Sequence, residues 1–218
     1  MSVAIQKKRV SIDGYFEWAE TQEGKYEYWD GAIVPLRVGE EDQIPDDWVV
    51  EWGDNPLVAM AGGTPEHSQA IINIILDLGF QLRGSECHPY TSDTAVYAEA
   101  CNQFYYPDIS VVCGNGRFDE KYAITNPVGV VEVASQSTQK RDRTRKLSCY
   151  QQMPTIQFVL LVSQTEPQVD AYFRFPANEW IQITVKGLQS TLLLAPINCE
   201  LKLADVYARV EFREESAD

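Results

Sequence analysis

Three segments between residues 106 and 146 are the most informative about the fold: YPDISVV (106–112), VVEVASQST (130–138) and QKRDRTRK (139–146). Two carboxylates, Asp108 and Glu132, each lie within an apolar, β-branched run that is typical of a strand. Acidic side chains are depleted in buried strands unless a partner neutralises them. Two such carboxylates beside a basic cluster are the groups that hold a hard divalent cation, Mg²⁺ or Mn²⁺, against a phosphate.

Composition predicts one globular domain spanning residues 1–218. Hydrophobic residues make up 44% and charged residues 23% of the 218 positions, which is ordinary for a protein with a full core. No apolar run approaches the roughly 20 residues that span a bilayer, and the N-terminus lacks the apolar segment of a signal peptide. The five cysteines show no metal-ligand spacing, so we expect reduced thiols in a cytoplasmic protein and no zinc site.

A net charge of −14 argues against a general nucleic-acid binder, because duplex binding depends on contacts to phosphates. The basic residues are nevertheless clustered, since 5 of the 18 fall within seven positions, and a local positive patch can still steer an anion. The alternative is a solvated helix face. The cluster comprises Lys140, Arg141, Arg143, Arg145 and Lys146.

Periodicity predicts an α/β or α+β domain with helices flanking a set of apolar strands. Helices are expected at 11–20, at 64–84 with Thr64 or Pro65 at its start and Gly84 at its end, at 139–152, and near 203–210. Residues 37–57 are acidic and rich in Gly, Pro and Trp, which indicates a surface insertion. Strands are expected within 24–36, 88–98, 104–114, 128–135, 156–164, 168–175 and 180–186.

Phosphodiester cleavage needs an oriented water and neutralisation of charge at the scissile phosphate. Asp108 and Glu132 on adjacent strands fit a metal site, and Lys146 fits a group that orients the water or stabilises developing charge. The i, i+4, i+8 spacing of Asp142, Lys146 and Tyr150 places them on one helix face. The alternative to a metal site is that the two carboxylates form structural salt bridges.

The remaining candidate side chains have weaker signals. His67, near a helix start, and His88, beside a proline, are interpreted as cap or surface residues, because no third ligand stands at a suitable spacing. Asp93 is either an outer acid of the site or a surface residue. Trp48 and Trp52 in the insertion are interpreted as core or interface residues.

The order of several motifs resembles that of the Uma-type restriction endonucleases, a branch of the restriction-endonuclease-like PD-(D/E)XK superfamily. The resemblance covers most of residues 11–210 and implies a central mixed β-sheet flanked by helices, with a metal-dependent nuclease site. The matching segments are YEYWDG, AMAGGTPEHS, SDTAV, YPDISVVCG, NPVGVVEVASQST, the run from Asp142 to Lys146 with Tyr150, and the strand leading into LADVY.

Carried over by this resemblance, Asp108 and Glu132 match the two acidic motif positions, the carbonyl of Val133 is a further metal ligand, and Glu27 completes the site. The superfamily's lysine two residues after the second acid is missing, since Ala134 stands there. The likeness therefore implies a displaced lysine on the following helix. Lys146 is the first choice and Lys140 the second. The usual SPST motif is SQST here.

Two classes of function follow from these expectations. The first is a Mg²⁺-dependent endonuclease that hydrolyses DNA, with Lys140, Arg141, Arg143 and Arg145 contacting the nucleic acid. The second is a catalytically inactive nucleic-acid-binding or protein-interaction module on the same scaffold. Because cutting both strands of a duplex usually calls for two sites, a homodimer is expected, with the tryptophan-rich insertion as a candidate interface.

Overall fold

The structure, a computed structural model, describes residues 7–37, 43–51, 64–134 and 139–212, with the backbone alone at 37, 134 and 139–143. Its described residues form four α-helices and twelve strands. The helices are α1 (Ile12–Ala19), α2 (Pro65–Gln81), α3 (Gln139–Gln152) and α4 (Leu203–Val206). The strands are β1 (Lys25–Trp29), β2 (Ala32–Arg37), β3 (Cys87–Thr91), β4 (Val96–Ala98), β5 (Gln103–Tyr105), β6 (Ile109–Cys113), β7 (Gly129–Ala134), β8 (Phe158–Ser163), β9 (Gln168–Phe175), β10 (Glu179–Lys186), β11 (Thr191–Leu194) and β12 (Cys199–Lys202).

A six-stranded sheet with the order β10-β9-β8-β7-β6-β3 forms the centre of the fold. Its strands pair antiparallel except β7 and β8, which run parallel and are connected through α3. A parallel pair needs such a crossover, because the chain must return to the same end of the sheet. The predicted central mixed sheet flanked by helices is therefore confirmed.

Both faces of this sheet are covered. On one face, Ile74 and Leu78 of α2 pack in a cluster with Val111 and Val131 of the sheet and with the β11–β12 hairpin and α4. On the other, α3 packs in a second cluster that joins the central sheet to a smaller sheet of order β2-β1-β5-β4. In the part of the chain that the structure describes, no helix is both long and apolar enough to cross a membrane.

Two segments predicted as single strands are each divided between the two sheets. Residues 104–114 contain the end of β5 and all of β6, with Pro107 and Asp108 in the break between them. Proline lacks a backbone N–H and so interrupts a ladder of hydrogen bonds. Asp108 consequently lies just before a strand and not within one. Residues 88–98 are divided in the same way into β3 and β4.

The observed helix starts agree with the predicted capping residues, whereas the observed helix ends differ from the predicted positions. Thr64 caps α2, its side chain accepting a hydrogen bond from the N–H of His67, and Pro65 occupies the first turn. The helix ends at Gln81, before the predicted Gly84, which has a positive φ of 82° in the following turn. The closing helix is shorter than predicted, Leu203–Val206.

The expectation of reduced thiols is wrong. One disulfide joins Cys87 of β3 to Cys113 of β6, which are paired in register, and another joins Cys101 to Cys149 of α3. Cys199 is free and buried. The partners lie 26 and 48 residues apart in sequence, and only the fold brings them together. The Cys101–Cys149 bond fixes α3 to the turn that precedes β5.

Part of the predicted insertion lies against the smaller sheet. Val50 forms a parallel bridge with Ile33 of β2, and the ring of Trp48 packs edge-on against Trp18 at 5.6 Å. Trp48 is thus half-buried within its own chain. Residues 38–42 and 52–57 of the insertion, including Trp52, lie outside the described residues.

Close packing around Gly129 gives a first prediction. A Cβ at this first position of β7 would lie 2.0 Å from a ring carbon of Phe158, whose ring is fully buried. Gly129→Ala should therefore destabilise the fold by about 1–3 kcal/mol or more. Gly79→Ala on α2 is the matched control, because nothing lies within 4 Å of its Cβ and it should stabilise by about 0.5–1 kcal/mol. Urea unfolding of both variants tests this, and equal midpoints would contradict it.

Candidate active site

The candidate site lies where the start of β6 meets the end of β7. Ile109 pairs with Val131 across these antiparallel strands, so one step further along the same register Asp108 lies opposite Glu132. The backbone N–H of Val133 donates a hydrogen bond to Asp108 Oδ2 at 2.7 Å. The two acidic residues, which are 24 positions apart in sequence, are therefore neighbours in the fold.

Glu132 is held by two residues of α3. The Tyr150 hydroxyl donates to Glu132 Oε1 at 2.8 Å, and Lys146 Nζ lies 3.8 Å from the same oxygen. Burial raises the pKa of Glu132 to about 8; Lys146 lowers it, while the negative charges of Asp108 and Glu27 raise it. Burial and the adjacent carboxylates also raise the pKa of Tyr150 well above its usual value, so this hydroxyl remains a donor.

Lys146 forms a buried ion pair with Glu27 of β1. Its Nζ lies 2.8 Å from Glu27 Oε1, and the exposed fractions of the two side chains are only 10% and 0%. Glu27 also accepts hydrogen bonds from the backbone N–H of Tyr106, to Oε1, and from the Trp29 indole, to Oε2. The ammonium group thus lies between Glu27 and Glu132, and its role as the displaced lysine of a nuclease site stays a prediction.

His67 is the site residue that sequence analysis missed. It was interpreted as a cap or surface residue, but its ring lies at the carboxylate, with Nε2 3.3 Å from Asp108 Oδ1. Burial lowers the pKa of His67, whereas Asp108 and hydrogen bonding to the Val133 backbone raise it, and the net shift is upward. The available signal was its place in the AMAGGTPEHS segment, one of the motifs that carried the family resemblance.

The donor set fits a hard cation. Asp108, Glu132 and the Val133 carbonyl offer only oxygen atoms, which suit Mg²⁺ or Mn²⁺. Within the described residues no group of three or more His, Cys, Asp or Glu side chains has metal-binding geometry. Mg²⁺ usually keeps several waters and needs only one or two carboxylates, so the pair is sufficient. Glu27 as a ligand stays a prediction, and its observed contacts orient Lys146.

The basic run on α3 is partly engaged within the protein. Arg145 donates to Glu51 Oε2 at 2.7 Å, and its guanidinium lies 4.4 Å from the Trp29 ring centroid. Its role as a nucleic-acid contact stays a prediction, since an anion would compete with Glu51. The other predicted contacts and the second-choice lysine have side chains outside the described residues: Lys140, Arg141 and Arg143.

Glu132 should make the metal-free protein less stable as pH rises. Its pKa is raised from 4.5 to about 8, so the folded state holds this proton more tightly than the unfolded state. The favourable contribution is complete below about pH 4.5 and is lost as pH rises through about 8. Glu132→Gln has no carboxyl group to titrate. At about pH 8.5 its free energy of unfolding should therefore exceed that of the wild type by a few kcal/mol, as the size of the pKa shift implies.

Urea unfolding in EDTA at about pH 5 and pH 8.5 measures this difference. The gap between Glu132→Gln and the wild type should widen at the higher pH. A gap that does not change with pH contradicts the prediction.

Comparison with known proteins places the chain in a family. The model of the Uma2 family, described as putative restriction endonuclease, matches residues 38–204. The chain belongs to this family. The match includes Asp108, Glu132 and Lys146, whereas Glu27 precedes it.

Relatives share much of this chain's length. An uncharacterized protein of Synechocystis sp., slr1290, is 31% identical over 206 residues, covering 94% of each chain. A second uncharacterized Synechocystis protein, sll1609, is 24% identical over 139 residues, covering 63% of this chain and 78% of its own. The crystal structure of a putative nuclease belonging to DUF820 from Anabaena variabilis superposes with a TM-score of 0.62 at 17% identity, covering 91% of this chain and 97% of that one. The restriction-endonuclease-like fold predicted from the sequence is confirmed.

Proposed function

We propose that this Uma2 family protein is a metal-dependent endonuclease that hydrolyses phosphodiester bonds of DNA. The observation that carries the proposal is the convergence of four side chains from four separate segments of the chain. Asp108 lies opposite Glu132, Glu132 lies 3.8 Å from Lys146, and Lys146 lies 2.8 Å from Glu27. Paired carboxylates beside a lysine are the parts that metal-assisted phosphodiester hydrolysis requires.

Asp108, Glu132 and the Val133 carbonyl would hold Mg²⁺ or Mn²⁺. When bound, such an ion neutralises phosphate charge and lowers the pKa of a coordinated water. Tyr150 fixes the orientation of Glu132 through its 2.8 Å hydrogen bond. Lys146, placed between Glu27 and Glu132, would orient the attacking water or stabilise the charge that develops on the phosphate.

DNA is the proposed partner, and the start of α3 supplies the contacts. Arg141 and Arg143 belong to the basic run that precedes Lys146 on this helix. A variant that lacks one phosphate contact releases fewer counterions when it binds DNA. Arg141→Ala and Arg143→Ala should therefore each weaken DNA binding across sequences and reduce the slope of log affinity against log salt concentration by about 1. Fluorescence titrations in Ca²⁺ between low and moderate salt measure this. Unchanged slopes would assign the basic run to a solvated helix face.

A homodimer completes the proposal. The support from Trp48 is reduced, because its ring packs on Trp18 of its own chain. Light scattering at micromolar concentration tests the dimer, and a monomeric mass contradicts it.

Cleavage and binding assays together test the proposed function. Supercoiled and linear DNA are incubated with the protein in Mg²⁺, Mn²⁺ or EDTA, and binding is measured in Ca²⁺. Nicking or linearisation in Mg²⁺ or Mn²⁺, but not in EDTA, is the expected result. Binding without cleavage in any metal would instead identify the inactive nucleic-acid-binding module. If the protein neither binds nor cleaves DNA at low salt, the protein-interaction module is the function that remains.

A further inference from the structure

His67 is held in place by the start of α2. Its backbone N–H donates to the side chain of Thr64 at 3.2 Å, which caps the helix. A capped first turn has a fixed backbone, so the side chain projects in a defined direction. That direction is toward the acidic pair, and the ring is 23% exposed.

The ring lies against two of the predicted metal-binding groups. Nε2 is 3.3 Å from Asp108 Oδ1, and the Val133 backbone is close enough to the ring to help raise its pKa. The other oxygen, Oδ2, accepts the Val133 N–H at 2.7 Å. Asp108 is therefore held at both oxygens, by α2 at one and by β7 at the other.

We propose that His67 is a positioning residue that fixes the Asp108 carboxylate for a divalent cation. The inference rests on the metal site of the proposed function and deepens it. Each carboxylate oxygen has two lone pairs, so Oδ1 and Oδ2 can each accept one hydrogen bond and still ligate an ion. A carboxylate already fixed in one orientation loses less entropy on binding, and the loss of such an outer partner typically weakens metal affinity about 10–100-fold.

Two other roles for the ring make different predictions. If the imidazole nitrogen were itself a ligand, the amide of His67→Gln would replace it poorly, because an amide nitrogen offers no lone pair to a metal. If the ring instead occupied the place of the ion, its removal would tighten binding. Nε2 faces Asp108, so the geometry favours a donor over a ligand.

Mn²⁺ affinity separates these roles without relying on catalysis. The electron paramagnetic resonance signal of free Mn²⁺ is titrated with wild type, His67→Ala, His67→Gln and His88→Ala. His88 is the matched control, because it is the other of the two histidines and lies exposed on β3. The Kd of His67→Ala should rise about 10–100-fold. His67→Gln, which keeps a donor at similar reach, should recover most of the affinity, and His88→Ala should match wild type.

Each remaining outcome overturns the inference. Equal or tighter Mn²⁺ binding by His67→Ala removes the positioning role while leaving the metal site intact. A His67→Gln protein that is folded, as shown by its melt in EDTA, but binds as weakly as His67→Ala also excludes positioning through a donated hydrogen bond. A wild type that binds no Mn²⁺ overturns the proposed metal site and this inference with it.

Discussion

Asp108→Asn should abolish metal-dependent DNA cleavage, lowering the rate by roughly 10³-fold or more. The amide has nearly the shape of the carboxylate and keeps an oxygen that can accept the Val133 N–H, so the strand junction should survive. It lacks the negative charge that attracts a hard cation. The proposed DNA contacts are the basic residues of α3, so binding in Ca²⁺ should fall much less than cleavage.

Asp93→Asn is the matched control for this substitution. Asp93 lies in the turn between β3 and β4, its side chain is 90% exposed, and its partner Lys25 lies 3.5 Å away. Its cleavage rate should remain near that of the wild type. An Asp108→Asn protein that is folded and still cleaves at the wild-type rate would show that the acidic pair is structural.

Lys146→Met should destabilise the fold by about 3–5 kcal/mol, a large share of the ~5–15 kcal/mol that holds a typical domain. The substitution leaves Glu27, which is 0% exposed, without its cation. A buried carboxylate without a partner is costly, because its hydration is lost and its charge is not compensated. The double variant Glu27→Gln/Lys146→Met removes both charges and should regain most of the stability.

Chemical unfolding of the wild type, the two single variants and the double variant gives the coupling between Glu27 and Lys146. Lys202→Met is the control, because Lys202 lies 3.6 Å from Glu200 in a pair that is half exposed, and its loss should change stability by less than about 0.5 kcal/mol. The double variant should be folded but unable to cleave DNA. Losses that simply add would show that the pair is not coupled.

Sequence alone predicted the parts of the fold that depend on local chemistry. The start of α2 followed from Thr64 and Pro65, and the α/β or α+β class followed from helices that flank a set of apolar strands. The central mixed sheet was implied by the family resemblance. Helical spacing predicted that Lys146 and Tyr150 share one face of α3, and both side chains lie at Glu132.

The parts that were missed depend on contacts between distant segments. Residues 104–114 were predicted as one strand, but Pro107 divides them, and the residues on either side join different sheets. The partners of the disulfides and the contact between His67 and Asp108 are likewise set by packing across the fold. Periodicity indicates which face of an element is buried but does not identify the residue that it meets.

Glu27 was selected from the sequence as a site residue, but its hydrogen-bond partners were not predicted. Its acidic position in β1 was chosen as a metal ligand through family resemblance. The structure shows three donors around it: Lys146, the Tyr106 N–H and the Trp29 indole. The Trp29 indole lies two residues away on the same strand face and could be assigned from spacing. Lys146 and Tyr106 could not, because they lie 119 and 79 residues away in sequence and only the fold brings them to Glu27.

A crystal soaked in Mn²⁺ shows whether Asp108 and Glu132 together hold a divalent cation. Anomalous scattering locates the ion without reference to any assay. We expect one anomalous peak within about 2.5 Å of an oxygen of each carboxylate and of the Val133 carbonyl oxygen, which is the range of hard-cation coordination. A fully soaked crystal with no peak between Asp108 and Glu132 would contradict this expectation.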